Sequence, residues 1–166
     1  MNLFRRFKEF ITRRKYPQNL LIKGRKKLPA SSFKDQEKLY RSYDKDDLDE
    51  NDKIKLETIK FPDLSCNWSR FSIPKDILFR RNAKKNDGCY SFMVLTSRYK
   101  KMATPVHEPI NEKKFPNYAH VEVRALRANE DFHVEPQKKR KIHSKSNKFE
   151  YRQNLLNSLH IEFISN

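Results

Sequence analysis

The sequence predicts an α+β fold: a small, mostly antiparallel sheet with three or four short helices, a basic N-terminal helix and a basic C-terminal arm. Three observations carry this reading. Apolar residues recur at helical spacing near both ends of the chain, and two stretches in the second half read as strands, one by alternation and one as an apolar run. Aromatic residues reach 12%, enough for a small core although the hydrophobic share is only 36%. A length of 166 residues suits one domain with extensions. Residues 1–32 are expected to form a basic amphipathic helix and connector, 33–135 the compact core, and 136–166 a basic arm, helix and terminal strand packed on that core.

The opening "MNLFRRFKEFITRRKYP" sets Leu3, Phe4, Phe7, Phe10 and Ile11 on one helical stripe, with Arg5, Arg6, Lys8, Arg13, Arg14 and Lys15 mostly opposite. Pro17 ends it. Such a helix suits docking on the core or on a protein partner, and its cations suit phosphate contact; a membrane-surface helix is the alternative. The basic stretch 18–32 then reads as an extended connector. In "SSFKDQEKLYRSY", Ser31 or Ser32 offers an N-cap for a short helix whose inner face is Phe33, Leu39, Tyr40 and Tyr43.

Residues 44–52, "DKDDLDEND", are an acidic island in a basic chain. A calcium loop counted from Asp44 would need glycine and glutamate where Asp49 and Lys55 stand, so the island reads as a solvated loop or a partner-facing acidic patch. Ile54 and Leu56 alternate with lysines as in a half-buried strand, and Pro62 interrupts it. Ser72 is placed to cap a short helix starting near Ile73 and Pro74. Trp68 and Phe71 anchor the intervening turn as core residues; a base-stacking platform with Arg70 is the sharper alternative.

After a turn at Asn86, Asp87 and Gly88, the apolar run 89–95 predicts a central strand. "YAHVEVRAL" alternates, placing Tyr118, His120, Glu122 and Arg124 on an accessible face and Ala119, Val121, Val123 and Ala125 on the buried one. Residues 138–145 form a basic run suited to a flexible arm or, in a eukaryote, a nuclear-localisation peptide. Ser146 then offers a cap for a helix carrying Phe149, Leu155, Leu156 and Leu159, and "IEFIS" a last strand.

Charge is the strongest functional signal. Lys+Arg 37 against Asp+Glu 21 gives a formal net charge of +16, which favours polyanionic partners. An A- and T-rich genome raises lysine but raises glutamate as well, so it does not account for the imbalance. DNA or RNA is therefore the expected partner, bound without strong base readout by an accessory subunit of a larger complex. Phosphate contacts are expected from Arg5, Arg6, Arg13, Arg14, Lys26, Lys27, Arg80, Arg81, Lys84, Lys85, Lys138, Lys139, Arg140 and Lys141. A different class remains open, a protein-binding adaptor whose basic surface meets an acidic partner.

A third class is a nuclease. The stretch "HEPINEKKFPNYAHVEVRA" gathers His107, His120, Glu122 and Arg124. His120 with Glu122 has the residue types for proton transfer, and Arg124 those for steadying a phosphorane, a ribonuclease-like layout. No cofactor is required by the sequence; a divalent metal on His107, His120 and Glu122 is the one the pattern admits, though it lacks the H-E-x-x-H register. Alternatively these side chains are an ion-paired solvent face. Cys66 and Cys89 have no C-x-x-C spacing, and the first glycine-rich phosphate loop would need more than Gly24 and Gly88. With no apolar run near the ~18 residues of a membrane helix, a reduced cytoplasmic setting is expected.

Overall fold

The computed structural model describes residues 15–84, 87–138 and 140–164. Six strands make one sheet: β1 (Lys38–Tyr43), β2 (Leu64–Trp68), β3 (Gly88–Met93), β4 (Ala103–His107), β5 (His120–Ala125) and β6 (His160–Phe163). Their order is β4-β5-β2-β1-β3-β6, and every neighbouring pair is antiparallel. The expected α+β class with an antiparallel sheet is what the chain adopts. Two α-helices occur among the described residues, a single turn α1 (Val94–Ser97) and α2 (Lys145–Asn157), and the other helical segments there are short 3₁₀ turns. None of these helices is long and apolar enough to cross a membrane. The amphipathic helix expected before Pro17 lies outside the described residues apart from its end.

Strand register sorts side chains onto two faces. Leu39 pairs with both Trp68 and Phe92, Cys66 with Val121, and Leu64 with Val123, so these share one face and form the buried core. Trp68 sits at its centre, with the Phe33 ring stacked at 3.9 Å between centroids. Its indole N–H donates to Glu37 at 3.0 Å, and the Arg70 guanidinium, bound to the other oxygen of that carboxylate, lies 4.3 Å over the ring. Trp68 is thus a core residue with its polar atom satisfied, and has no face left for a base. Helix α2 covers this side: Tyr151 and Leu155, one turn apart, are buried, and the Tyr151 ring stacks on Phe61 at 4.2 Å.

Four local expectations are corrected. Residues 38–43 form a strand rather than a helix; Glu37 binds Trp68 and Arg70, and Leu39 and Tyr43 fit the two-residue period of a pleated surface as well as the helical one. Ser31 and Ser32 belong to a 3₁₀ turn instead of capping a helix. The strand expected at Ile54 and Leu56 is one isolated bridge from Leu48 to Ile54 followed by a 3₁₀ turn, because Ile54, Ile59 and Phe61 plug the core from a loop. The last helix begins two residues earlier than expected: Ser144, not Ser146, accepts the Asn147 N–H at 3.2 Å, and Phe149 stays exposed.

Candidate nucleic-acid interface

The opposite face of the sheet carries polar side chains. Tyr40, Asn67 and His120 stand in register across β1, β2 and β5, because Tyr40 pairs with Asn67 and Asn67 with His120. Together with Ser42 and Ser65 they floor a cleft of about 450 Å³.

One wall is the 3₁₀ segment Pro74–Phe79 and the chain after it. Ile77 and Phe79 bury their side chains, and Asp76 closes the start of the turn by accepting from the Ile73 N–H at 2.9 Å and the Asn19 amide at 2.8 Å. The wall continues through Arg80, Arg81, Asn82 and Lys84. Asp87, fully buried, fixes this stretch: one of its oxygens accepts from Arg80 at 2.5 Å and from the Lys84 backbone N–H at 2.7 Å. The second wall is the β4–β5 connection, in which Ile110 and Asn117 pair across an isolated bridge and the Asn117 amide donates to Asn67 at 2.7 Å. Arg81 reaches to 3.9 Å from Glu112 of that connection. Asp44 and Asp47 also line the cleft, and Asp44 is ion-paired with Lys84.

His120 contributes to the floor in a defined tautomer. Its Nδ1–H donates to the Glu108 carbonyl at 2.7 Å, leaving Nε2 as an acceptor. Burial, helped by the charge of Lys138, pushes its pKa down to about 4, so the ring is neutral at pH 7. His107 is elsewhere. It pairs with Val121 and therefore shares the core face, packed edge-on against the rings of Trp68 and Tyr118. Its Nε2–H donates to the Tyr118 carbonyl at 2.5 Å and its Nδ1 accepts from the Leu28 N–H at 3.0 Å, which uses both nitrogens.

Glu122 and Arg124 follow His120 on the outer face, as the alternation predicts, yet Arg124 is only 5% exposed. Its guanidinium is bound by Glu122 at 3.0 Å, by Glu108, and by the Pro136 carbonyl at 3.2 Å, with Asp63 at 4.0 Å. Lys138 adds a second cation, 3.3 Å from Glu108 and 3.7 Å from Glu122. Of the four residues singled out as catalytic, the fold thus leaves His120 at the cleft, His107 in the core and Glu122 with Arg124 in a buried ion cluster. Among the described residues no group of three or more His, Cys, Asp or Glu is arranged to hold a metal ion, and the His107, His120 and Glu122 set is split between faces. Cys66 and Cys89 are free, buried thiols whose pKa values burial pushes up to about 12, which suits packing rather than nucleophilic attack.

The cations expected to meet phosphate are also separated by the fold. Arg80, Arg81 and Lys84 line the cleft, and Lys26 and Lys141 are exposed. Lys27 is held by Glu135 at 2.7 Å, Lys138 by Glu108 and Glu122, and Arg140 by Glu130 at 2.6 Å. Arg5, Arg6, Arg13, Arg14, Lys85 and Lys139 lie outside the described residues. Sequence reasoning missed Tyr40, Ser65, Asn67 and Asn117. The alternation of Lys38, Tyr40 and Ser42 with Leu39 and Tyr43 was the available signal for the first of them, but the register that aligns it with Asn67 and His120 was not. Compared with known protein families, curated proteins and solved structures, the chain matches none.

Proposed function

We propose that this protein binds nucleic acid, chiefly through phosphates, as an accessory component of a larger assembly. The observation that carries the reading is the run of Arg80, Arg81 and Lys84 along one wall of a polar cleft, in a chain whose formal net charge is +16. Asp87 holds that wall from beneath, so the cations are presented by an ordered backbone instead of a loose arm. The basic N-terminal segment is the element assigned to a protein partner, with further phosphate contact from its arginines. The nuclease reading loses support, because His107 faces away and Arg124 is saturated by carboxylates.

Fluorescence anisotropy with labelled oligonucleotides tests this. Each phosphate neutralised steepens the fall of affinity with salt, so three or more contacts predict a loss of at least ~10-fold between about 50 and 200 mM salt. Affinity that is flat across this range, or no binding at the lowest salt, overturns the reading and favours the adaptor with an acidic protein partner.

A further inference from the structure

Resting on that reading, we propose that the cleft seats a single unpaired nucleotide, its base on the floor between β1, β2 and β5 and its phosphate on the Arg80, Arg81 and Lys84 wall.

Size sets the first limit. About 450 Å³ lies within the range of ~300–1,000 Å³ typical of small-molecule sites, a size suited to one nucleotide. A base must leave its stack to enter, as in loops and single strands, where base edges become available for hydrogen bonding.

The floor is equipped for such edges. Among the described residues the hydroxyls of Tyr40, Ser42 and Ser65 line the cleft without a hydrogen bond to another side chain or to the backbone, and His120 Nε2 stands as an acceptor in the same lining. Asn67 is fixed by accepting from Asn117 and by donating to Ser72 at 3.2 Å, and an amide with two N–H groups keeps one to offer. The floor thus offers both donors and acceptors, which the edge of a base can match, whereas a phosphate offers chiefly acceptors. Ile110 on one wall adds apolar surface for the face of a planar ring, and the Tyr40 ring offers a stacking partner.

Charge sets the direction. Asp44 is ion-paired with Lys84 and Asp87 with Arg80, which leaves Arg81, 73% exposed, as the wall cation most open to the phosphate of the bound strand. The floor also holds Arg41, whose guanidinium donates to the Ser65 carbonyl at 2.7 Å, so base recognition on the polar floor and phosphate attraction at the Arg80, Arg81 and Lys84 wall are contributions of different weight. They respond differently to salt and to mutation.

The experiment uses the full chain and a labelled 15-nucleotide single strand, compared with its duplex at the same salt. Charge density alone favours the duplex. The proposal expects the single strand to bind at least ~10-fold more tightly, consistent with the stacking of an exposed base. It expects Ser65→Phe, which fills the cleft from an exposed position, and Tyr40→Ala each to lower single-strand affinity by about 10-fold, a larger loss than either causes for the duplex. A nucleoside monophosphate should displace the single strand from the wild type, whereas inorganic phosphate at equal concentration should not. Thermal denaturation checks the fold of each variant; if Ser65→Phe does not fold, Tyr40→Ala and the competition experiment decide. Equal or tighter duplex binding, equal displacement by inorganic phosphate, or a folded Tyr40→Ala variant with wild-type affinity overturns the nucleotide site while leaving phosphate binding intact. Failure of both strands to bind at any salt overturns the broader reading too.

Discussion

His107 and His120 leave neighbouring strands on opposite faces of the sheet: His107 is aligned with Val121, so the very next residue toward the turn, His120, must point the other way. The two histidines therefore have different physical roles. His107 is a buried polar residue whose two ring nitrogens complete backbone hydrogen bonds to Leu28 and Tyr118. Replacing it by alanine removes both bonds and leaves a cavity among Trp68, Phe71 and Tyr118. We expect His107→Ala to destabilise the fold by about 2–4 kcal/mol in urea denaturation, with nucleic-acid affinity of the folded variant unchanged. A fully stable variant with weakened binding would place His107 in the interface instead.

His120 makes stability depend on pH in a calculable direction. Its folded-state pKa is pushed down to about 4, whereas an unfolded histidine titrates near ~6.5. Below about pH 6.5 the unfolded chain takes up a proton that the folded one refuses, so folding stability falls with pH until the folded ring is itself protonated near 4. His107 acts in the same direction, its pKa lowered by burial first. His120→Asn keeps a donor for the Glu108 carbonyl and removes the titration. Relative to wild type it should flatten the stability profile between pH ~6.5 and ~4 by on the order of 1–3 kcal/mol, allowing for partial exposure. Parallel profiles for the two proteins would show that the ring titrates normally.

Arg124 holds together a cluster of carboxylates. Glu108 and Glu122 bind its guanidinium directly and Asp63 lies at 4.0 Å, while the side chain itself is 7% exposed. Lys138 alone does not compensate these acids from its more exposed position. Arg124→Met keeps the length of the stem but leaves the carboxylates without their buried partner, a change that costs about 3–5 kcal/mol where charges are desolvated. Thermal denaturation at pH 7 should show this loss, and the conservative variant Arg124→Lys should recover part of it. Equal losses for the two variants would assign the effect to packing.

Part of the sheet was legible in the sequence, because β3 and β5 carry an apolar run and strict alternation, although the run continues into α1 and β2 reads as a turn around Trp68. The charged face of β5 followed from the same alternation. What sequence could not supply was register, which decides that His107 belongs with Val121 and that Tyr40, Asn67 and His120 form one row. Strand β1 was misread because Leu39 and Tyr43 are four residues apart, a spacing that satisfies both periods, and the neighbouring Glu37 resembles a first-turn acid although it serves Trp68. Charge was legible in total but not in place. Lys27, Lys138 and Arg140 looked equivalent to Arg81 in a list of cations, yet each is held by a carboxylate at 3.3 Å or less, whereas Arg81 stands 3.9 Å from Glu112.

That difference between cations gives the last prediction. Arg81 is the most exposed of the cleft cations, at 73% of its side chain, and Lys84, although ion-paired with Asp44, is 62% exposed. Arg80 is a poor test, since its loss would strand the buried carboxylate of Asp87. In the double variant Arg81→Ala and Lys84→Ala, two phosphate contacts should disappear, lowering the slope of log affinity against log salt by roughly 1.4 for a single strand. The control variant Lys27→Ala and Arg140→Ala removes the same formal charge from cations bound to Glu135 and Glu130, and it exposes those acids. It should weaken binding slightly through net charge while keeping the wild-type slope. If both variants change the slope equally, the cleft holds no privileged phosphate contacts, and the attraction of this protein for polyanions is spread over its whole surface.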